Sequence, residues 1–155
     1  MFIRSKKIKG KEYAYLVINK YNKKKKESRQ KTTKYLGKII DLGSINEQVE
    51  SNSIDEAIIK TLIKLGFYEQ DRFLIKEDIS IDLNKLTVTK DNQKVCLKIN
   101  EGYLCDYTLD NLLRFKEEIK EKKLVHNLAE AFISAGVNIK EDSFVNIFSS
   151  KFIKP

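Results

Sequence analysis

Phe2 to Ile8, Glu12 to Asn19 and Ser28 to Leu36 are patterned as short strands, which commits the first quarter of the chain to β-structure rather than helices. A charge step coincides with that pattern. The first forty residues hold fourteen Lys/Arg against two acids, Glu12 and Glu27, whereas the other 115 hold sixteen against twenty. The formal charge of +8 therefore combines a strongly basic β segment with a mildly acidic remainder. Positive charge concentrated on a sheet describes a surface suited to a polyanion, and nucleic acid is the expected partner.

Three strands are expected in this segment. Phe2 to Ile8 and Glu12 to Asn19 are joined through Lys9-Gly10-Lys11, whose glycine suits a tight reversal. In the second strand Tyr13, Tyr15 and Val17 share one face, and Ala14, Leu16 and Ile18 share the other. Lys20 to Glu27 contains four consecutive lysines, which repel one another and read as a solvated loop. Ser28 to Leu36 resumes as a strand. Strict alternation assigns Arg29, Lys31, Thr33 and Tyr35 to one side and Gln30, Thr32, Lys34 and Leu36 to the other, with Gly37 ending the strand.

Each polar residue type on such a sheet has a use against nucleic acid. Arg4, Lys6, Lys7, Lys9, Lys11, Lys23, Lys24, Lys25, Lys26, Lys31, Lys34 and Lys38 are expected to neutralise phosphates and release counterions. Arg29 and Gln30 suit base edges, and the hydroxyls of Thr32 and Thr33 suit phosphates or bases. Tyr13, Tyr15 and Tyr35 suit stacking on unpaired bases. The bland alternative is a lysine-rich hairpin kept soluble by its charge. A chain-wide preference for lysine, however, does not explain why the remainder is acidic.

Several short motifs in this stretch occur together elsewhere. Met1-Phe2-Ile3-Arg4, Ile8-Lys9-Gly10-Lys11-Glu12-Tyr13, Tyr15-Leu16-Val17, and Arg29-Gln30-Lys31 leading to Lys34-Tyr35-Leu36-Gly37-Lys38-Ile39 resemble the opening of insertion-sequence transposases. In that family the stretch precedes a catalytic domain with an RNase H-like fold and three metal-binding acids, and it helps to hold the element's DNA. The 115 residues that follow here are too few for such a domain. The resemblance implies DNA contact by the arm, without transposition.

Residues 43–52 are polar, with Gly43 and several Ser/Asn, and read as a linker. Ser53-Ile54-Asp55-Glu56 has the spacing of a capping box, and Ile54, Ala57, Ile58, Leu62 and Leu65 follow at helical intervals. Phe73 to Ile99 returns to a strand pattern with a turn at Asp91-Asn92, giving a small antiparallel sheet. Thr108 is expected to open a helix through Leu109, Leu112, Leu113, Lys116 and Ile119. A further helix carries the stripe Leu124, Leu128, Ala131, Phe132, Ala135 up to Gly136, and a last one carries Phe144, Val145, Ile147, Phe148 and Phe152.

Catalytic signals are sparse. Cys96 and Cys105, nine residues apart with His126 as the single histidine, form neither a metal set nor a disulfide framework, and half-buried apolar roles suit both cysteines. Asp78, Asp82, Glu101, Asp106 and Asp110 invite a magnesium nuclease reading, but the acid-x-Lys candidates Glu118-Ile119-Lys120 and Glu121-Lys122-Lys123 fall in a helical pattern. Residues 128–148 have the outline of a helix-turn-helix, yet the would-be reading helix begins with Glu141 and Asp142, which would face phosphates, so a packed helical hairpin is expected.

The resulting expectation is an α+β protein: an N-terminal three-stranded antiparallel arm (1–42), a linker (43–52), and a domain (53–155) with a helix, a small antiparallel sheet and a C-terminal helical hairpin or bundle. It binds DNA without catalysis, cofactor or metal, and its C-terminal part mediates self-association as a homodimer or recruits a partner. RNA binding, a protein-interaction adaptor and a metal-dependent nuclease are the alternatives. No apolar run approaches a membrane span and no signal-peptide stretch is present, so a cytoplasmic location is expected.

Overall fold

The computed structural model describes residues 1–115 and 121–152. Lys9 and Gly10 both adopt positive φ, which matches the twist of a two-residue hairpin and folds β1 (Phe2–Ile8) back on β2 (Lys11–Asn22). β2 turns again at 23–26 into β3 (Glu27–Gly43), a strand of 17 residues. The loop expected over residues 20–27 is thus confined to four lysines, and the flanking residues are strand.

Past β3, Ser53 caps α1 (Ile54–Lys64) by accepting a hydrogen bond from the Glu56 N–H at 3.1 Å. The Glu56 carboxylate accepts from the Asn52 N–H at 3.2 Å, one residue earlier than a full capping box requires. Five further strands follow: β4 (Tyr68–Gln70), β5 (Phe73–Lys76), β6 (Ile79–Asp82), β7 (Thr87–Lys90) and β8 (Gln93–Ile99), with Asp91 and Asn92 at positive φ in the last turn. Then come β9 (Gly102–Leu104), α2 (Asp106–Leu113), α3 (Glu121–Ser134) and α4 (Glu141–Phe152). Cys105, not Thr108, is the residue before α2. The Thr108 hydroxyl sits inside the first turn, accepting from the Cys105 N–H at 3.0 Å and donating to the Tyr103 carbonyl at 2.7 Å. The expected extension of this helix through Lys116 and Ile119, and the Glu118-Ile119-Lys120 triplet, lie outside the described residues.

Among the described residues the strands form one nine-stranded sheet in the order β1-β2-β3-β8-β7-β6-β5-β4, with β9 also pairing β8. This corrects the expectation of a three-stranded arm beside a separate small sheet. The join is parallel: Lys38–Asp41 of β3 lie beside Val95–Lys98 of β8. Gly37 makes it possible rather than ending the strand. Its φ is +126°, and a Cβ there would stand 2.8 Å from both the Lys94 carbonyl oxygen and Val95 Cα. The segment expected to be a linker is also tied down, by hydrogen bonds from the Val49 N–H to the Asn138 carbonyl (2.8 Å) and from the Lys140 N–H to the Val49 carbonyl (3.0 Å).

Alternation along β8 divides the interior in two. Val95, Leu97 and Ile99 join the larger core, where they meet Ala57, Ile58 and Leu62 of α1, Leu109 and Leu112 of α2, Leu128 and Phe132 of α3 and Ile147 of α4. Cys96 points the other way, into a small core with Ala14, Leu16, Leu36 and Cys105. Both cysteines are fully buried, not half-buried. The stripe expected on α3 is present, and Phe132 meets Phe144 of α4 edge-to-face at 6.0 Å, so the C-terminal helices pack as a hairpin through aromatic contacts. Val145, expected among the apolar residues of that last helix, is 52% exposed. No helix among the described residues is long and apolar enough to cross a membrane.

Candidate nucleic-acid interface

The antiparallel pairing covers only part of β2 and β3. β1 stops opposite Val17, and β8 begins opposite Lys38, so from Ile18 to Asn22 and from Glu27 to Thr32 these two strands have only each other. A two-stranded ribbon therefore projects from the sheet. Every residue from Asn19 to Tyr35 is exposed. Between residues 18 and 32 lie seven Lys/Arg and one acid, Glu27. At about 3.3 Å per residue the ribbon extends roughly 17 Å beyond Val17 before the four-lysine tip.

Two irregularities decide which side chains face together. The β2–β3 register shifts between Ala14 and Tyr15 and again between Leu16 and Val17, so Leu36 and Thr33 are each an extra residue in β3. Directly opposed residues share a face, so Tyr15 brings Tyr35 with it, Val17 brings Thr32 and Asn19 brings Gln30. One face of the hairpin thus carries Arg4, Lys6, Tyr13, Tyr15, Gln30, Thr32, Tyr35 and Lys38. The opposite face carries Lys7, Lys20, Arg29, Lys31 and Lys34. The faces assigned to Tyr13, Tyr15, Ala14 and Leu16 by alternation hold. Those assigned along the third strand do not, because strict period-two counting across two bulges exchanges Tyr35 and Lys34 between faces.

Contacts within the tyrosine face confirm the grouping. Arg4 Nη1 donates to Gln30 Oε1, and Lys6 Nζ donates to Thr32 Oγ1 at 3.4 Å while lying 4.9 Å from the Tyr15 ring centroid. Tyr35 packs against Tyr15 (centroids 5.3 Å apart) and Tyr13 (6.4 Å). Partial burial, then the neighbouring Tyr15 and Tyr13 phenols, push the Tyr35 hydroxyl above the usual tyrosine range, so this phenol is neutral at physiological pH. On the opposite face the adjoining Lys31 side chain, by hydrogen bonding and then by charge repulsion, holds Lys20 below the usual lysine value.

Few of the arm's cations are compensated. Among the described residues, ion pairs engage only two of the fourteen: Arg29 with Glu27 at 3.6 Å and Lys34 with Asp106 at 3.6 Å. Asp106 is held more closely by Lys94, at 2.8 Å. Thr33 has a structural role at its bulge, where its hydroxyl donates to the Leu16 carbonyl at 3.1 Å. Lys9 and Lys11 sit at the β1–β2 turn, at the opposite end of β2 from Lys23–Lys26 and roughly 36 Å away along the strand. The residues singled out from the sequence thus lie on one hairpin but not on one contiguous surface. Lys20, counted into the loop from the sequence, lies on β2 opposite Arg29.

The acids elsewhere are dispersed into local roles. Asp82 accepts from the Asn84 and Lys85 N–H groups at 2.9 and 3.1 Å, Asp78 lies 3.9 Å from Lys90, and Asp110 pairs with Arg114 at 3.2 Å. His126 is exposed on α3 beside Glu130, at 3.0 Å. No cluster of three or more metal-ligating side chains occurs among the described residues. Compared with known proteins, the chain matches no family model, no curated protein and no solved structure.

Proposed function

We propose that this protein binds duplex DNA by laying the β2–β3 ribbon into the major groove, without catalysing a reaction. The observation that carries this reading is the free ribbon itself, two strands wide, exposed throughout, and bearing seven cations against one acid. B-form DNA has a major groove about 12 Å wide, which admits a two-stranded ribbon, whereas the major groove of A-form RNA is deep and too narrow for side chains to read. That difference favours DNA over RNA. The lysines at the tip and along the edges, together with Arg29, meet phosphates, and Gln30, on the face opposite Arg29, meets base edges. The resemblance of this hairpin to the opening of insertion-sequence transposases points to the same partner. The large α+β body anchors the ribbon and, on this reading, supplies self-association or a partner surface.

The test is a salt titration of binding to a labelled DNA duplex and to an RNA duplex of the same sequence. Seven phosphate contacts correspond to a log–log slope of about −6 on DNA. Replacing Lys23, Lys24, Lys25 and Lys26 together by Ala flattens that slope by about 3 to 4 and weakens binding uniformly across sequences. Unchanged affinity and slope in this variant remove the ribbon from the mechanism, and tighter binding to the RNA duplex overturns the choice of DNA.

A further inference from the structure

We infer that the tyrosine face is a stacking platform for an unpaired nucleotide of the DNA held by the ribbon, an inference that rests on the DNA-binding reading above. Tyr15 and Tyr35 are directly opposed across β2 and β3, with ring planes at 51°, and Tyr13 adds a third ring at 43° to Tyr35. None of the rings is closed face to face by another, and Tyr35 is 44% exposed at the centre of the group. Arg4, Lys6 and Lys38 surround them. No acid lies on this face of β1, β2 or β3, since Glu12, Glu27 and Asp41 all fall on the other.

The bulge at Leu36 is what builds the platform. Counting from Lys38 without it, Leu36 would occupy the tyrosine face and Tyr35 the opposite one. With it, Leu36 enters the small core and Tyr35 joins Tyr13 and Tyr15. Bulges cost a ladder hydrogen bond and are enriched where a side chain must be re-aimed for function. A single aromatic pair would suffice to support the hairpin, so the third ring and its cationic surround exceed what sheet stability asks for.

Aromatic rings inside a ring of cations, with no acid, match a base and its phosphate. A second copy of this chain fits poorly, because a two-fold contact would set the same positive face against itself. A peptide rich in acids would use the cations but not three rings. The platform lies at the foot of the ribbon, roughly 25 Å along β2 from the tip lysines. Paired bases keep their faces covered by their neighbours, so only a nucleotide outside the stack, in a single-stranded tail or turned out of the duplex, can occupy it.

The experiment compares a blunt duplex with the same duplex carrying a short single-stranded tail that contains 2-aminopurine. The wild-type protein is expected to bind the tailed duplex about tenfold more tightly, within what one stacked base contributes, and to quench 2-aminopurine fluorescence. In the Tyr15→Leu/Tyr35→Leu protein, which keeps an apolar cross-strand pair, both effects disappear while blunt-duplex affinity stays. Tyr15→Phe/Tyr35→Phe retains both and guards against a folding defect in the leucine variant. Equal wild-type affinity for the two probes, absence of quenching, or a tail preference that survives in the leucine variant overturns the platform and leaves the ribbon reading standing. Wild-type protein that binds neither probe overturns both. A dimer in sedimentation that the leucine variant dissociates, with no tail preference, assigns the face to a second copy and overturns the inference.

Discussion

Gly37→Ala tests the joint on which the basic hairpin hangs. At φ +126° an L-residue is strained by about 1 to 3 kcal/mol. The added methyl also meets the Lys94 carbonyl oxygen and Val95 Cα at 2.8 Å, both of them backbone of β8 and unable to swing aside. Overpacking of that kind costs a further ~1 to 3 kcal/mol, so a loss of about 3 kcal/mol is expected. Gly10→Ala is the internal control: its φ is +79°, nothing lies within 4 Å of the added Cβ, and the cost is limited to about 1 kcal/mol of backbone strain. In urea, with m near 2 kcal/mol/M, the Gly37 variant shifts the midpoint by about 1.5 M and the Gly10 variant by about 0.5 M. Amide exchange should accelerate most from Lys38 to Leu42, where β3 depends on β8. Equal losses in the two variants would refute the argument that close approach of the β3 and β8 backbones joins the hairpin to the body.

Three further outcomes follow from the same geometry. Thr33→Val removes the bond to the Leu16 carbonyl and costs about 1 kcal/mol in urea with no change in DNA affinity, whereas Thr32→Val, on the tyrosine face, weakens DNA binding and leaves stability within about 0.5 kcal/mol. Leu62→Ala empties a fully buried position of α1 and costs about 2 to 5 kcal/mol by denaturation, while Ile63→Ala next to it, 51% exposed, changes stability by less than about 0.5 kcal/mol. For pH, Lys31 lowers the Lys20 pKa in the free protein, and a phosphate beside Lys20 raises it again. The complex therefore binds more protons than the free protein in the window starting below pH 10.5, and DNA affinity falls as pH rises through it. Anisotropy titrations from neutral to alkaline pH check this, and Lys31→Gln should shift the onset of the fall to higher pH.

Much of the local structure was legible from the residues alone. The β1–β2 reversal, the faces of β2, the α1 start at Ser53, the turn at Asp91-Asn92 and the buried stripe of α3 all rest on interactions between residues close in sequence, and for these periodicity and turn chemistry are sufficient. The charge step needed no structure either. It follows from composition, and it marks the hairpin as the basic part of the chain.

What tertiary structure decided is where the strands find their partners. Gly37 reads locally as a stop, but β3 continues because a second backbone, 58 residues away at Val95, comes close enough to pair with it. The same is true of the two bulges. Nothing within Thr33 or Leu36 announces an extra residue, yet burial of Leu36 with Ala14, Leu16, Cys96 and Cys105 pulls the strand out of simple alternation and turns Tyr35 toward Tyr13 and Tyr15. The residues of the candidate interface were thus present in the sequence as a basic, tyrosine-bearing segment. Their division into a groove-sized ribbon and an aromatic face came from long-range pairing and packing, which a period counted along one strand does not contain.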